Sequence, residues 1–569
     1  MWKTLNNILP KEKKCATKSS PSNLSATKFN EFFTSIARNL CNVFRDSAFP
    51  QILVPRVEKD FGLHAVDTSF VRNELAKLKL SKATGLDKIP AKLLKDAASV
   101  IAKPVTYLII LTISTGEIPS EWKEARVTPI YKAGKKDDEN NYRPISVLPL
   151  VSKVMERAIQ VQLLSFLGEN NVLSVFQSGF RKKHSTETAV VYLVDHILEH
   201  MDKQQLTGAA FIDLKKAFDL VDHHCLLHKQ QHYGVRGRSL TWFRNYLTIR
   251  SQKVQYGKEL SSSLPLDFGV AQGSLLGPLL FVIYINDLPK CLMHSEISMY
   301  ADDTVIYYTG SHVNVIRENL QEDLKRVEQW LTSNRLILNH SKTKGLLFGT
   351  RQLLQTSSDF VLQIQGKDIE RVTKFNYLGV MLDEQLHWKE HVDSICKKVN
   401  KRLGILARIR SCLTLNAAKC VYNTLIEPIL CYTDTVWGEL SATSSKTLQR
   451  LQNRAARIVL RRDSSKDTLN VLGWVELETK RKRHKCTLVY KCLNNLVPKY
   501  LSGYFTRNFN VHNYNTRRRT DLHLPKPKLS LAKRTFRYSG SAFFNLLPRN
   551  IQNAKSLSSF RVLINTYNF

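Results

Sequence analysis

Two apolar segments of this sequence carry acidic residues where a buried strand normally has none. One is Met299–Tyr307, which contains Asp302 and Asp303, and the other is Ala209–Leu214, which contains Asp213. A carboxylate without a partner is costly to bury in an apolar strand, so it needs a cation. The pattern therefore predicts two neighbouring strands of one sheet, whose acids converge on two divalent metal ions.

Paired divalent ions serve phosphoryl transfer: they lie about 3.5–4 Å apart and stabilise the attacking and the leaving oxygen. Mg2+ prefers octahedral oxygen ligands, so we predict two Mg2+ ions, for which Mn2+ can substitute. In this interpretation Asp213 and Asp302 hold both ions and Asp303 assists. The alternative is that the acids cap turns or pair with lysines, and it stays open for Asp303 taken alone.

The stretches around these acids resemble a known enzyme family. Phe211–Asp219 (FIDLKKAFD) and Tyr300–Asp303 (YADD) resemble motifs A and C of reverse transcriptases, in particular those of non-long-terminal-repeat (LINE-like, jockey-like) retrotransposons. A lone Ala-Asp-Asp is a weak signal, whereas the ordered set of motifs over residues 75–385 is specific. The resemblance implies an α+β right-hand polymerase with fingers, palm and a helical thumb, followed by a basic, mostly helical C-terminal region.

The same resemblance implies a reaction and its partners. The 3′-hydroxyl of a DNA primer attacks the α-phosphate of a deoxynucleotide on an RNA template and releases pyrophosphate. The partners are then an RNA template, a DNA primer or target DNA, and deoxynucleoside triphosphates. The protein is expected to be intracellular, in the nucleus at the site of integration and in the cytoplasm during assembly with RNA. A rival interpretation is an inactive, nucleic-acid-binding relic of a transposon, against which the intact acid set argues.

Residue by residue, the resemblance implies four roles. Metal ligation belongs to Asp213, Leu214, Asp302 and Asp303. Protonation of the leaving pyrophosphate belongs to Lys342, although Lys344 is expected to share its strand face. Nucleotide binding belongs to Lys132, Arg143, Phe218, Gln272 and Gly273. Contacts with template and primer belong to Arg181, Tyr377, Leu378 and Gly379.

Several of these roles have plain structural alternatives. Lys132 and Arg143 match the cations of the fingers hairpin that fold over the triphosphate, but exposed cations are common. Phe218 matches the steric gate that fills the space of a ribose 2′-hydroxyl, and its ring would be packed in either case. The turn at Gly273 lets backbone approach a nucleotide closely, but it also suits a simple helix entry.

The net charge indicates a polyanionic partner. Lys and Arg number 84 against 49 acids, a formal net charge of +35, and such an excess favours binding to a phosphate backbone. Residues 471–569 hold 19 basic and three acidic residues, 19 − 3 = +16. We predict that this region, with its clusters Arg481–Arg483 and Arg517–Arg519, binds RNA or target DNA. The alternative is a solvated, partly disordered tail.

The chain divides into five predicted regions: a basic flexible lead-in with a docked helix over Phe29–Phe44 (1–60), fingers (61–205), palm (206–384), helical thumb (385–470) and the basic C-terminal region (471–569). Helical spacing predicts thumb helices over His391–Arg410, Ala417–Ile429 and Ser445–Leu460. In LINE-like proteins an endonuclease usually precedes the polymerase. The chain begins too close to the polymerase to hold one, so we expect a truncated copy or a partial gene model.

Cysteines and apolar runs add two further expectations. The ten cysteines form no Cys-x-x-Cys pair, which is typical of reduced intracellular thiols. His484, Cys486 and Cys492 are the only tempting zinc cluster, and their spacing is wrong for a zinc knuckle. The longest apolar run, Leu275–Ile285, is too short to span a bilayer, so no membrane partner is expected.

Overall fold

The computed structural model describes residues 24–41, 50–357, 359–462, 467–511 and 518–569. The flexible part of the predicted lead-in, up to residue 23, and Arg517 lie outside the described residues. Strands and helices alternate up to residue 383, and the described chain beyond that point is mostly helical. This mixture agrees with the expected α+β class.

The strands of the described residues are β1 (Glu124–Tyr131), β2 (Tyr142–Val147), β3 (Leu206–Ile212), β4 (Arg250–Tyr256), β5 (Glu259–Leu260), β6 (Leu264–Leu266), β7 (Glu296–Tyr300), β8 (Asp303–Gly310), β9 (Lys344–Phe348), β10 (Leu362–Ile364), β11 (Lys367–Arg371), β12 (Lys374–Tyr377) and β13 (Val380–Asp383).

The α-helices are α1 (Ala26–Cys41), α2 (Thr68–Ala76), α3 (Ala91–Asp96), α4 (Ala98–Thr115), α5 (Ser120–Lys123), α6 (Leu150–Glu169), α7 (Thr186–Asp202), α8 (His223–His232), α9 (Gly237–Leu247), α10 (Gly277–Tyr284), α11 (Val313–Ser333), α12 (Arg351–Gln355), α13 (Lys389–Ile409), α14 (Leu415–Leu425), α15 (Glu427–Leu430), α16 (Asp434–Trp437), α17 (Ala442–Leu460), α18 (Thr468–Leu472), α19 (Leu477–Leu493), α20 (Lys499–Ser502), α21 (Phe536–Asn545), α22 (Arg549–Gln552) and α23 (Leu557–Thr566).

A six-stranded sheet in the order β10-β11-β9-β3-β8-β7 forms the centre of the molecule. Its strand β3 pairs antiparallel with both β8 and β9 and is buried along its whole length. Leu206 and Ala210 face the core that contains α11, whereas Ala209 and Phe211 face the core that contains α7 and the C-terminal helices. Because each face of β3 meets a different core, the strand is apolar throughout instead of alternating with polar residues.

A second sheet has the strand order β2-β1-β4-β5, and β6 pairs with β4. Strand β1 is antiparallel to β2 and parallel to β4, so residues 250–266 join the sheet of the β1–β2 hairpin. Helix α1 packs on this sheet, where the Phe29 ring contacts the rings of Tyr142 and Tyr256 at centroid distances of 4.9 and 5.0 Å. The docked helix predicted from Phe29 is confirmed as α1, and the rest of its predicted span, residues 42–44, is outside the described residues.

The three helices predicted after the sheets are confirmed as α13, α14 and α17. The second had been expected to run to Ile429 but ends at Leu425. Pro428 has no N–H with which to continue the helical ladder, and it stands instead in the first turn of the short α15.

The described part of residues 471–569 is folded against the rest of the chain. Ile197 of α7 shares one hydrophobic core with Phe536, Phe544 and Phe560. The carboxylate of Asp202, at the end of α7, accepts hydrogen bonds from the backbone N–H groups of residues 528 and 529 at 3.0 and 2.5 Å. The interpretation as a loose tail is therefore wrong for the described residues.

Burial changes how the basic clusters of this region are interpreted. Arg481 and Arg483 are only 4% and 8% exposed, which removes them from the charge that a nucleic acid could contact. Arg481 lies over the Trp437 ring, with its guanidinium carbon 5.3 Å from the ring centroid. Arg518 and Arg519 are exposed, so they remain candidates for that role.

Helix α4 is long and apolar enough to cross a membrane, and 33% of it is buried inside the protein. Its residues Val105 and Ile109 pack in the same core as Val71 and Leu75 of α2. A core helix of a soluble domain passes the same test of length and composition. The expectation of no membrane partner therefore stays a prediction.

Candidate active site

The three acids that open the sequence analysis meet at one end of the central sheet. The register pairs Ile212 of β3 with Thr304 of β8, so Asp213 and Asp303, one step further along each strand, lie side by side. Asp302 lies in the tight turn between β7 and β8, which is closed by the pairing of Tyr300 with Asp303. The predicted convergence of two acid-bearing strands of one sheet is confirmed.

The electrostatics of this cluster are those of a site that needs a cation. Burial, and then the charge of Asp213, raises the pKa of Asp302. Partial burial and the charges of Asp302 and Asp213 raise the pKa of Asp303 to about 6. The charge of Asp213 disfavours ionisation of Asp302 and Asp303, so a divalent cation bound beside these two carboxylates would be favoured.

The Oδ2 atom of Asp213 has the surroundings of a possible metal ligand. This oxygen is buried and accepts no hydrogen bond within the described chain. The nearest cation is the Lys342 ammonium, at 3.7 Å from Oδ2, which is too long for a hydrogen bond. A buried carboxylate oxygen without a donor is a natural ligand for Mg2+.

The backbone around Leu214 is compatible with its predicted place among the ligands. Leu214 forms an isolated antiparallel bridge with Leu338. The two bonds of that bridge run from Lys215 N to Ile337 O and from Asn339 N to the Asp213 carbonyl, each at 2.8 Å. The bridge therefore does not use the Leu214 carbonyl.

Two cations of the β1–β2 hairpin face the acids. Lys132 N donates to the Asn141 carbonyl at 2.8 Å, next to the pairing of Ile130 with Arg143. Burial, and then the charges of Lys342 and Arg143, lowers the pKa of Lys132, whereas Asp213 and Asp302 raise it. The hairpin thus carries two cations into the field of the carboxylates, which is where a triphosphate would need neutralisation.

The structure separates the two lysines that had been hard to tell apart. Lys344 lies in β9 and donates to Glu370 Oε2 at 2.5 Å. Lys342 precedes the strand, is more than half exposed, and is the one that lies beside Asp213. Of the two lysines, Lys342 is therefore the better candidate for a general acid, because its ammonium lies beside the Asp213 carboxylate.

Phe218 is packed against two other aromatic rings, and its role as a steric gate stays a prediction. Its ring stacks on Phe281 at 4.5 Å between centroids and meets the Phe180 ring edge-on at 6.3 Å. The residue is only half-buried. Packing therefore holds the ring in place while part of it stays exposed.

The loop of Gln272 and Gly273 makes contacts within the protein that the sequence did not indicate. Gln272 Nε2 donates to Asp219 Oδ1 at 2.8 Å, and its carbonyl accepts from Ser146 N at 2.8 Å. Gly273 has φ +132, and a Cβ there would lie 2.3 Å from the Ser146 carbonyl oxygen. The close approach that requires glycine is thus to strand β2, and contact with a nucleotide stays a prediction.

Arg181 is less available to a template than its predicted role requires. Its Nη1 atom donates to the Ser174 carbonyl, and to the Gln177 carbonyl at 3.0 Å. Burial lowers the pKa of Arg181. The guanidinium therefore stabilises its own loop, and its template contact stays a prediction.

The predicted primer-contacting residues divide between core and surface. Tyr377 is 3% exposed, and its ring lies 5.6 Å from that of Phe211. Leu378 and Gly379 form the turn of the β12–β13 hairpin with φ +46 and +87. In that turn Gly379 is exposed and could meet a primer, whereas Tyr377 supports the hairpin from beneath.

The cysteines named with His484 belong to the core, because Cys486 and Cys492 are buried among apolar residues. His484 lies instead near Cys431 and Asp434, and the possible ligand atoms of these three are within 4.8 Å of one another. His484 Nδ1 is 2.8 Å from Asp434 Oδ2, and hydrogen bonding to Asp434 raises the pKa of His484 against the effect of burial. We interpret this group as a His–Asp ion pair.

The comparisons with known proteins agree with this geometry. Residues 133–382 match the family of reverse transcriptases (RNA-dependent DNA polymerases). The chain contains a reverse transcriptase domain.

This reverse transcriptase domain has relatives in insect transposons. The protein named "Probable RNA-directed DNA polymerase from transposon BS" of Drosophila melanogaster is 31% identical over 405 residues, 67% of this chain and 43% of that protein. The RNA-directed DNA polymerase from mobile element jockey of the same organism is 29% identical over 406 residues, 69% of this chain and 44% of that protein. The chain thus spans less than half the length of these relatives. The resemblance to jockey-like polymerases is confirmed.

Proposed function

We propose that this chain is an RNA-directed DNA polymerase that extends a DNA primer along an RNA template. The observation that supports this most strongly is the cluster of Asp213, Asp302 and Asp303 opposite the cations Lys132 and Arg143. Carboxylates that hold two metals, faced by cations for a triphosphate, are the arrangement that nucleotidyl transfer needs. An inactive nucleic-acid-binding relic would have no reason to keep all five residues.

In the proposed architecture the β1–β2 hairpin and its sheet are the fingers, the central sheet is the palm, and helices α13, α14 and α17 are the thumb. The groove between them takes the RNA template and the DNA primer. Exposed cations on α13, such as Lys397, Lys398 and Lys401, would face the nucleic-acid backbone. The five regional boundaries and the nuclear and cytoplasmic locations given above are part of this proposal.

The residues of the chain divide the reaction between them. Asp213 and Asp302, with Asp303 and the Leu214 carbonyl, hold two Mg2+ or Mn2+ ions, which when bound activate the primer 3′-hydroxyl and stabilise the leaving oxygen. Lys132 and Arg143 donate hydrogen bonds to the triphosphate oxygens. The Phe218 ring excludes a ribose 2′-hydroxyl, and the Lys342 ammonium donates a proton to the departing pyrophosphate.

The test is primer extension by the full chain on an RNA template with a DNA primer, deoxynucleotides and Mg2+ or Mn2+. We expect synthesis by the wild type. Asp302→Asn keeps the shape but removes a metal ligand, so synthesis should fall by at least about a thousandfold, roughly 4 kcal/mol of transition-state stabilisation. Its affinity for the template, measured by fluorescence anisotropy, should stay close to that of the wild type.

Asp368→Asn is the matched control, since Asp368 is exposed in β11, which β9 and β3 separate from β8 in the central sheet. This substitution should leave synthesis nearly unchanged. Template binding by a wild type that incorporates no nucleotide with either metal would overturn the proposal and favour the relic.

A further inference from the structure

The catalytic turn is held from outside by one buried side chain. Gln177 is fully buried, and its Oε1 atom accepts hydrogen bonds from the backbone N–H of Ala301 at 2.9 Å and of Gly179 at 2.7 Å. Ala301 is the residue before Asp302 and has φ +56, a left-handed conformation that few residues other than glycine adopt. The Gln177 amide therefore fixes a turn that would not be favoured on its own.

The segment around Gln177 also pairs with the strand that leads into the turn. Met299 N donates to the Phe176 carbonyl at 3.0 Å, and Ser178 N donates to the Met299 carbonyl at 2.8 Å. Gly179 then passes so close that a Cβ on it would lie 2.4 Å from Ala301 N. Residues 176–179 thus follow the backbone of residues 299–301 at hydrogen-bonding distance.

The bond from Gln177 to Ala301 has a specific consequence for Asp302. The Ala301 N–H lies inside the turn, where the pairing of β7 with β8 offers it no acceptor, and a buried N–H must find one. If that bond is lost, Ala301 loses a contact that holds its left-handed conformation, and its backbone dihedral angles can change. Such a change would move the Asp302 carboxylate relative to Asp213.

We propose that Gln177 is a positioning residue that sets the Asp302 carboxylate for metal binding, a role that rests on the proposed polymerase function. Arg181, four residues further along the chain, is predicted to contact the template, whereas Gln177 faces the catalytic turn. A group that orients a metal ligand without touching the metal typically changes metal affinity or activity about 10- to 100-fold when it is removed. Gln177 is placed to have that effect through the backbone.

The experiment compares two substitutions in the full chain. Gln177→Met keeps the length and burial of the side chain but removes the acceptor. Gln177→Glu keeps the acceptor, and it gives up only an Nε2 donor that has no partner within the described residues. Mn2+ binding in the absence of substrate is measured by electron paramagnetic resonance, together with kcat, the KM for deoxynucleotide and the melting temperature.

We expect Gln177→Met to weaken Mn2+ binding and to lower kcat by about 10- to 100-fold, with little change in KM. Gln177→Glu should recover part of the Mn2+ affinity.

The matched control is Gln552→Met. Gln552 is also buried, and its Nε2 donates to the carbonyls of Phe544 and Leu547, far along the chain from the acids. This control should lower the melting temperature without changing Mn2+ affinity. Wild-type Mn2+ affinity and kcat in Gln177→Met, or an equal loss of Mn2+ affinity in Gln552→Met, would overturn the proposal.

The Mn2+ measurement separates this proposal from the polymerase function itself. A wild type that binds Mn2+ but makes no DNA would contradict the proposed function. The comparison of Mn2+ affinities would still decide whether Gln177 positions Asp302.

Discussion

At the scale of single residues, the site depends on how each acid is kept ready for a cation. Asp213 offers a buried oxygen without a hydrogen-bond donor, whereas Asp302 and Asp303 are held in a tight turn where their charges oppose one another. The protein therefore accepts an electrostatic cost in the absence of metal. A bound divalent cation, as in the proposed function, would relieve that cost.

Metal affinity should depend on pH because of Asp303. Its pKa is raised to about 6, so the carboxylate is increasingly protonated as the pH falls through 6 and can no longer bind a metal. We expect Mn2+ affinity, measured by electron paramagnetic resonance, to fall between pH 7 and pH 5. In Asp303→Asn this fall should be shallower, and an equally steep fall would contradict the assignment of the titrating group.

Sugar selection should depend on Phe218. Phe218→Val shortens the ring that would meet a ribose 2′-hydroxyl, so the preference for deoxynucleotides over ribonucleotides should drop by about 10- to 200-fold, the range of differences that one small group makes in a pocket. The ratio of kcat/KM for the two nucleotides measures this. Phe166→Val, a buried control that contacts Phe61, should destabilise the protein and leave the ratio unchanged. An unchanged ratio in Phe218→Val would contradict the assignment of Phe218 as a steric gate.

At the scale of elements, helix α7 lies between the central sheet and the C-terminal helices. Ser185 caps its N-terminus, where the side chain accepts from Thr188 N, and its apolar face lies on the central sheet. On the other side, Asp195 is buried and accepts from the backbone N–H groups of Phe536 and Arg537 at 2.7 and 2.9 Å. One carboxylate of α7 thus caps the start of α21.

Removing that carboxylate should loosen the C-terminal helices. Asp195→Ala leaves two buried N–H groups without an acceptor, and we expect a loss of about 1–3 kcal/mol in the free energy of unfolding, measured with urea. Asp67→Ala removes an exposed cap of the same kind from α2 and should cost less, about 1 kcal/mol. Equal losses in the two variants would contradict the role of burial.

Because Asp195 is buried, its contribution to the free energy of unfolding should depend on pH. Burial raises the pKa of Asp195 to about 7, against the opposing effect of the two N–H donors. The folded protein therefore holds this proton up to a higher pH than the unfolded chain does. The contribution of Asp195 to stability should decline as the pH rises from about 4 to about 7.

At the scale of the whole molecule, the C-terminal region packs against the region that carries the acid cluster. The hydroxyl groups of Tyr500 and Ser178 are hydrogen-bonded at 2.9 Å, and Ser178 is the residue after Gln177. In addition, Lys183 Nζ donates to the Asn495 carbonyl at 2.8 Å. The same region completes the core above α7. Residues far apart in sequence therefore meet beside the segment that supports the catalytic turn.

Deletion of residues 467–569 should accordingly cause misfolding and not simply weaker nucleic-acid binding. It exposes the apolar residues of α7 that now pack on Phe536 and Phe560, so we expect aggregation in size-exclusion chromatography and loss of the near-ultraviolet circular dichroism signal. A monomeric truncated protein with a cooperative melt would contradict this. The control is the full chain with Arg518→Ala and Arg519→Ala, which should lose nucleic-acid affinity and keep its stability.

The sequence by itself determined the central features of the candidate active site. Acids inside apolar strands have few physical uses other than binding cations, so local pattern was enough to predict that the strands of Asp213 and Asp302 meet and to suggest the metal binding that we propose. Helical periodicity likewise located α1, α13, α14 and α17, because an amphipathic face is a local property of the chain.

Only the tertiary structure decided which polar side chains are free and which are already bound. It brought β4 to β1, buried Arg481 and Arg483, put Lys342 beside Asp213, and turned Gln177 toward Ala301. Each of these depends on contacts between residues far apart in the chain. The hydrophobic periodicity and charge of a sequence predict whether a side chain faces the core or the solvent, but they do not predict which other residue it contacts.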